Sequence, residues 1–266
     1  MNRLSRLFSE KDRDVLNIYF TAGYPALDST VPIIRSLAEA GADLIEVGMP
    51  YSDPMADGET IQQSGMRALE NGMTLRVLFE QLTEARRHTD VPLVMMGYYN
   101  QVMQYGPKRF VEAARAAGVD GLILPDLPAF EYQRDFKQLV EDAGLEVTFL
   151  VTPQTTDDRI RQIAESSSGF IYVVSSASIT GGSSQISDKQ RAYFDRIAAL
   201  DLPNPKLIGF GISDAETFRT ACEYFNGAII GSAFIRALGK DEDRVEETTQ
   251  SFVRGILEPT LSTTKR

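Results

Sequence analysis

The chain has 266 residues, of which 43% are hydrophobic and 24% are charged, and its formal net charge is −10. This composition is typical of a soluble globular protein, and the length predicts a single domain, 1–266, with a sizeable core. The negative charge argues against nucleic-acid binding, because neutralising phosphates requires clustered Lys and Arg. Since the apolar runs are shorter than the ~20 residues that cross a bilayer, we expect no membrane partner.

The sequence contains one cysteine, Cys222, and one histidine, His88. A single cysteine cannot form an internal disulfide, and this fits a reducing cytoplasm, where we expect the protein to act. One Cys and one His cannot build a His/Cys metal cluster or a plausible Cys–His dyad, so no metal site is predicted. The chemistry is therefore left to carboxylates, hydroxyls and backbone amides.

Short apolar segments alternate with helical patterns along the chain. The predicted strands are Val15–Phe20, Leu44–Gly48, Leu93–Gly97, Gly121–Leu124, Glu146–Val151, Phe170–Val174, Lys206–Gly209 and Ala228–Ile230. The predicted helices are Ser29–Ala40, Thr74–Arg87, Pro107–Ala117, Phe130–Ala143, Thr156–Ser167, Asp188–Leu200, Asp214–Tyr224 and Asp243–Ile256. Short apolar strands are typical of parallel strands that are buried on both faces. Eight such units over about 250 residues predict an α/β (β/α)8 TIM barrel, to which the amphipathic N-terminus adds a helix. A doubly wound open sheet is the alternative.

Two carboxylates close to one strand end are the most informative feature. The predicted strand Leu44–Gly48 carries Glu46 in its interior, and the loop after it carries Asp57. A carboxylate in an apolar strand is costly unless it is paired or used, and burial raises its pKa towards neutrality. Such a pKa suits a group that both gives and takes a proton. A simple hydrogen bond from Glu46 to a neighbouring strand or loop is the alternative.

Glycine-rich segments follow the last three predicted strands, at 175–184, 209–214 and 230–233. Glycines let backbone N–H groups approach an anion, and phosphate sites in TIM barrels commonly use these loops. Together the segments predict a phosphorylated ligand, although glycine also serves ordinary turns. The segment 175–187 is long for such a loop and is predicted to be a mobile lid, with a disordered surface loop as the alternative.

On these residues the chain closely resembles the tryptophan synthase alpha chain family over essentially its whole length. The resemblance is carried by the Glu46 strand and by the segments 51–58, 124–128, 180–181, 209–213 and 231–233. The pair of carboxylates is highly specific, whereas the glycine motifs occur in many phosphate-binding barrels. The resemblance implies an enzyme without a cofactor of its own that cleaves indole-3-glycerol phosphate into indole and glyceraldehyde 3-phosphate. It also implies a partner, the pyridoxal-phosphate-containing β subunit, which receives the indole in an α-β-β-α heterotetramer.

The resemblance also implies roles for particular residues. Glu46 would be the proton shuttle, and Asp57 would accept a hydrogen bond from the indole N1–H. The indole-pocket and lid positions are Tyr19, Tyr172, Thr180 and Phe210. The phosphate-binding positions are Gly181, Gly211, Gly231 and Ser232. The partner-contact positions are Pro50, Asp53, Asn100 and Pro128. Packing in the barrel core is the alternative for the pocket aromatics, and turn formation is the alternative for the partner positions.

The sequence departs from the usual family pattern at three places. Residues 175–178 read Ser-Ser-Ala-Ser where Ser-Arg-Ala-Gly is usual, Glu59 replaces a common proline, and Tyr19 replaces a phenylalanine. None of these changes involves the two carboxylates.

Three other functions stay open at this point: another sugar-phosphate barrel lyase or isomerase, a free-standing indole-3-glycerol phosphate lyase, and a non-catalytic activator of the β subunit. A Schiff-base aldolase is disfavoured because Lys206, the basic residue in a predicted strand, lies at the strand start, away from the mouth of the barrel. The activator is disfavoured because both carboxylates are present.

Overall fold

The computed structural model of the chain describes residues 1–55, 57–175, 187–209 and 211–258. Within them, parallel strands form a closed barrel in sequence order, in which the first strand pairs with both the second and the eighth. The strands are β1 Val15–Thr21, β2 Leu44–Gly48, β3 Leu93–Met96, β4 Gly121–Ile123, β5 Glu146–Val151, β6 Ile171–Val174, β7 Lys206–Gly209 and β8 Gly227–Ile230. Closure confirms the predicted TIM barrel and rules out the open sheet.

Helices follow the strands around the outside of the barrel. They are α1 Arg3–Glu10, α2 Thr30–Ala40, α3 Glu59–Glu70, α4 Leu75–Ala85, α5 Tyr99–Tyr105, α6 Pro107–Ala116, α7 Ala129–Glu131, α8 Lys137–Asp142, α9 Asp157–Ser166, α10 Asp188–Ala198, α11 Ala215–Tyr224, α12 Ser232–Leu238 and α13 Val245–Leu257. A π-helical turn, Tyr132–Phe136, joins α7 to α8, so the predicted helix Phe130–Ala143 is not one regular helix.

The sequence pattern missed three of these helices, α3, α5 and α12. The residues that α3 buries are Ser64, Gly65 and Ala68, so the helix lacks the large apolar stripe by which helices are recognised in a sequence. Helices α5 and α12 have seven residues each, too short for a helical period to be clear.

Helix α1 seals the N-terminal end of the barrel, as the predicted additional helix. The Asn2 side chain caps it by accepting a hydrogen bond from the Ser5 N–H at 3.1 Å. Leu4 is fully buried in the barrel interior, 3.3 Å from where a Cβ on Gly121 would be and 3.4 Å from where one on Gly169 would be. Because α1 covers the strand N-termini, the C-terminal mouth is the end that is available for a site.

Successive side chains of each strand point alternately into the barrel interior and outward to the helices, which gives two apolar layers. Leu44 faces the barrel interior with Tyr19, whereas Ile45 and Val47 pack outward against the helices. Cys222 is buried in the outer layer. In the part of the chain that the structure describes, no helix is both long enough and apolar enough to span a membrane.

Candidate active site

A cavity of about 310 Å³ lies at the C-terminal mouth of the barrel. It brings together seven of the predicted site residues: Tyr19, Glu46, Asp57, Tyr172, Gly211, Gly231 and Ser232. Three others, Thr180, Gly181 and Phe210, lie outside the described residues. A larger groove of about 390 Å³, beside Pro50 and Tyr105, has no carboxylate in its lining. We therefore place the candidate site in the smaller cavity, which contains both carboxylates.

Glu46 is held inside the wall of this cavity. Its side chain is fully buried, and Oε2 accepts a hydrogen bond of 3.0 Å from Asn17 Nδ2. Oε1 has no hydrogen-bond partner among the described residues. Burial raises the pKa of Glu46 to about 8, the Asn17 hydrogen bond opposes this rise, and the negative charge of Asp57 adds to it. Near neutral pH this carboxyl group can therefore act as an acid and, after losing its proton, as a base.

Asp57 reaches the cavity from the loop between β2 and α3. The Tyr98 hydroxyl donates a hydrogen bond of 3.1 Å to Asp57 Oδ2, and Gln62 Nε2 donates one of 2.7 Å to the Asp57 carbonyl oxygen. Partial burial raises the pKa of Asp57, whereas the Tyr98 hydrogen bond lowers it by stabilising the ionised form. Each carboxylate thus has one side-chain donor directed at it, and Asp57 differs from Glu46 in being only half-buried.

Two tyrosines cross from their own strands over a glycine of the next strand. A Cβ at Gly48 would collide with the Tyr19 hydroxyl, and a Cβ at Gly209 would collide with the Tyr172 hydroxyl. The geometry is the same in both pairs. Tyr19 is in register with Glu46, two residues before Gly48, and Tyr172 is in register with Leu207, two residues before Gly209. Burial is the main cause that raises the pKa of both tyrosines, so both stay neutral. Both tyrosines line the same cavity as Glu46.

The other side of the cavity has features suited to an anion. Gly211 has a φ of +83°, which favours glycine, and Gly231 precedes α12, whose first residue is Ser232. The unpaired N–H groups of a helix start attract negative charge. Arg236, one turn into α12, also lines the cavity, and its Nη1 lies 3.5 Å from Thr60 Oγ1. This side of the cavity therefore offers local N–H donors and one positive charge on a chain with negative net charge.

Three predicted partner positions, Pro50, Asp53 and Pro128, lie in loops at this same end of the barrel, and the fourth, Asn100, lies in α5, which follows β3. Asn100 Nδ2 donates a hydrogen bond of 2.7 Å to the Tyr51 hydroxyl, and Gln101 Nε2 donates one of 2.9 Å to the Pro50 carbonyl oxygen. The Tyr99 N–H donates to Asp126 Oδ1 at 2.8 Å, so the loops after β2, β3 and β4 are connected. Three large apolar side chains on these loops and the helices after them are exposed: Met55 by 91%, Met103 by 52% and Phe130 by 66%.

Sequence reasoning missed three polar contributors to the site, namely Asn17, Tyr98 and Arg236. The signal for Asn17 was available, because a polar residue in an apolar strand is the pattern that singled out Glu46. Tyr98 had no such signal, since its contact with Asp57 depends on how two separate loops meet. Arg236 lies four residues after Ser232, a spacing that places both on one helix face once α12 is known.

The comparisons with known proteins agree on one family. A family model described as the tryptophan synthase alpha chain matches residues 6–258. The chain is 46% identical to the tryptophan synthase alpha chain of Phocaeicola vulgatus over 256 residues, which cover 96% of this chain and 99% of that protein. It is 52% identical to that of Flavobacterium psychrophilum over 238 residues, 90% of this chain and 94% of that protein. A chain in the crystal structure of the tryptophan synthase complex from Pyrococcus furiosus superposes with a TM-score of 0.84 at 35% identity, covering 92% of this chain and 98% of that one.

Proposed function

Because the chain belongs to the tryptophan synthase alpha chain family, whose members are lyases that cleave indole-3-glycerol phosphate, we propose that Glu46 and Asp57 catalyse this cleavage here. The observation that carries the proposal is that both carboxylates line one cavity, with Glu46 fully buried and its Oε1 unpartnered among the described residues. Metal-free acid–base chemistry needs such a group, positioned within reach of the substrate.

In the proposed mechanism, Glu46 first acts as an acid and then as a base. Protonated Glu46 gives its proton to C3 of the indole ring, which places a positive charge on the ring at N1. The Asp57 carboxylate accepts the N1–H hydrogen bond and stabilises that charge. The Glu46 carboxylate then takes the proton of the glycerol hydroxyl next to the ring. As the C–C bond breaks, its electron pair returns to the ring, releasing indole and glyceraldehyde 3-phosphate and leaving Glu46 protonated again.

The direct test of this reaction is its product stoichiometry. Purified chain incubated with indole-3-glycerol phosphate is expected to release one indole and one glyceraldehyde 3-phosphate for each substrate molecule consumed. Phosphorylated product without indole would instead identify another sugar-phosphate lyase or isomerase, and would contradict the proposal.

We propose further that the phosphate group binds beside Gly211, Gly231 and Ser232, with Gly181 of the segment outside the described residues as a fourth contact. Support comes from the glycine conformation, the start of α12 and the charge of Arg236 at one side of the cavity. Thr180 and Phe210 keep their predicted roles in the lid and the indole pocket as proposals, together with Tyr19 and Tyr172.

A Ser232→Asp substitution tests the phosphate site, because a carboxylate at the start of α12 would repel a phosphate there. We expect the KM for indole-3-glycerol phosphate to rise by about 10- to 100-fold, as loss of charge-assisted hydrogen bonds plus repulsion implies. Binding of free indole, which carries no phosphate, is expected to change little. Ser232→Ala is the matched control, since it removes the hydroxyl without adding charge. An unchanged KM in Ser232→Asp would place the phosphate elsewhere.

A Tyr98→Phe substitution tests how Asp57 is kept ionised and oriented. Loss of the hydroxyl removes a hydrogen bond to the ionised form of Asp57, so the pKa of Asp57 rises. The acid limb of the pH–rate profile should therefore move to higher pH, and kcat at neutral pH should fall by about 3- to 30-fold. Tyr99→Phe is the control, because Tyr99 is the adjacent tyrosine and uses its backbone N–H, not its hydroxyl, to bind Asp126. A Tyr98→Phe profile that coincides with the parent profile would remove Tyr98 from this role.

We propose that the partner is a tryptophan synthase β subunit, which carries the pyridoxal phosphate, and that it contacts Pro50, Asp53, Asn100 and Pro128. The exposed side chains of Met55, Met103 and Phe130 near these positions support an apolar contact surface. The structural relative from Pyrococcus furiosus comes from a tryptophan synthase complex. The chain itself needs no cofactor in the proposed scheme, because every step is a proton transfer or a bond cleavage between substrate and side chains. Its location in the cytoplasm stays a prediction.

A further inference from the structure

An amide side chain lies next to Glu46 in the interior of the barrel. Asn17 is in the middle of β1, in register with Leu44 of β2 and Ile229 of β8, and it is fully buried. Its neighbours at two-residue spacing, Val15 and Tyr19, both belong to the interior apolar cluster. Burying an amide in such surroundings costs free energy unless its polar atoms find partners.

Only one of the two polar atoms of the Asn17 side chain has a hydrogen-bond partner among the described residues. Asn17 Nδ2 donates to Glu46 Oε2 at 3.0 Å, whereas Asn17 Oδ1 and Glu46 Oε1 are both buried and without a partner among the described residues. Both of these oxygens are acceptors, so neither can satisfy the other in the ionised state. Glu46 therefore has one oxygen held by Asn17, Oε2, and one oxygen without a partner among the described residues, Oε1.

We propose that Asn17 is a positioning residue that binds Glu46 in both of its protonation states. Asn17 Nδ2 holds Oε2 whether Glu46 is charged or neutral, and it holds the carboxylate more tightly, because a hydrogen bond to an ionised group is charge-assisted. Oε1 is thereby kept as the reacting oxygen that gives its proton to the indole C3 and regains one from the glycerol hydroxyl. The inference rests on the proposed role of Glu46 as the proton shuttle.

The groups around Glu46 shift its pKa in opposite directions, so the effect of Asn17 on that pKa can be measured separately. Asp57 faces Glu46 from the β2–α3 loop, Tyr19 from β1 and Tyr172 from β6. Burial and the charge of Asp57 both favour the neutral form of Glu46, and the Asn17 N–H opposes them by stabilising the carboxylate. Loss of Asn17 should therefore shift the Glu46 titration to higher pH, which a purely structural role for Asn17 would not do.

An Asn17→Leu substitution, which keeps about the same volume without polar atoms, is the first test. The Glu46 pKa is read from the carboxyl signal of protein labelled with δ-¹³C glutamate, assigned by its loss in Glu46→Gln. We expect the pKa to rise by about one unit and kcat to fall by about 10-fold, with KM within about threefold of the parent. Thr249→Val is the matched control, because Thr249 is a fully buried polar residue of α13 that is bonded to a backbone carbonyl outside the cavity. An Asn17→Leu protein with unchanged titration and unchanged kcat would overturn the proposal.

An Asn17→Asp substitution decides the question if Asn17→Leu does not fold. A second carboxyl group beside Glu46 should make the pair share one proton, so the labelled signal should titrate in two separated steps. kcat should again fall, since no N–H remains to hold Oε2. A single-step titration together with parental kcat would overturn the proposal. The control is Glu46→Gln: activity retained there would refute the shuttle itself, whereas an inactive Glu46→Gln beside fully active Asn17 variants would refute only the role of Asn17.

Discussion

Glu46→Gln is expected to lower the rate of indole release from indole-3-glycerol phosphate by at least about 10³-fold, because the amide can neither give nor take the two protons. The amide has almost the same shape, so folding and substrate binding should be preserved. Single-turnover indole release measures the chemical step, and equilibrium binding of the substrate measures affinity, which we expect to stay within about threefold. Turnover within tenfold of the parent would contradict the assignment of Glu46.

For Glu46→Gln we also expect a change in how the free energy of unfolding depends on pH. The pKa of Glu46 is about 8 in the folded protein against an ordinary value of 4.5, so the unfolded chain loses this proton at lower pH than the folded chain. Unfolding therefore releases a proton between pH 4.5 and about 8, and the parent loses stability as the pH rises through that window. Glu46→Gln lacks this loss, so its unfolding free energy relative to the parent should increase across the same window. Parallel stability curves would mean that Glu46 titrates normally.

Asp57→Asn is expected to lower kcat by about 10²- to 10³-fold, the effect of removing one preorganised electrostatic partner from a developing charge. The amide keeps a hydrogen-bond acceptor for N1–H but loses the negative charge that stabilises the ring cation. Asp57→Glu should be less harmful, since it keeps the charge on a longer side chain. Steady-state kinetics of the isolated chain give kcat for the parent, Asp57→Asn and Asp57→Glu.

Asp53→Asn is the matched control for Asp57→Asn. Asp53 lies in the same loop and is exposed, and its Oδ2 accepts a hydrogen bond of 2.6 Å from the neighbouring Ser52 hydroxyl. Removing its charge should leave the activity of the isolated chain unchanged. Parental activity in Asp57→Ala would exclude Asp57 from the mechanism.

The barrel could be predicted from the sequence because its signals are local. Each strand is a short apolar segment, and the strand ends were predicted within one or two residues, as for Leu44–Gly48 and Glu146–Val151. Helix α3 was missed for the opposite reason: it buries mostly small residues, so its sequence has no strong apolar stripe. The division of α7 and α8 by a π-helical turn likewise leaves no clear trace in the pattern.

The candidate site could be predicted only where a single residue conflicts with its surroundings. Glu46 stands out in an apolar strand, and Gly211 and Gly231 follow strand ends. Asn17 conflicts with its strand in the same way, but its meaning appears only when β1 and β2 are paired and Nδ2 meets the Glu46 carboxylate. The Tyr98 contact with Asp57 joins residues 41 positions apart in two loops, which the sequence cannot align. Polar contacts across the mouth of a barrel depend on closure, and closure is a property of the whole sheet.

The central claim is tested most directly by indole release from indole-3-glycerol phosphate by the purified chain, measured with and without a tryptophan synthase β subunit. Glu46→Gln, added under the same conditions, controls for background cleavage. We predict slow release by the chain alone, a large increase when the β subunit is added, and no release above background by Glu46→Gln. Fast release that the β subunit does not change would contradict the proposed partnership. No release by the folded parent chain in either condition would contradict the proposed reaction.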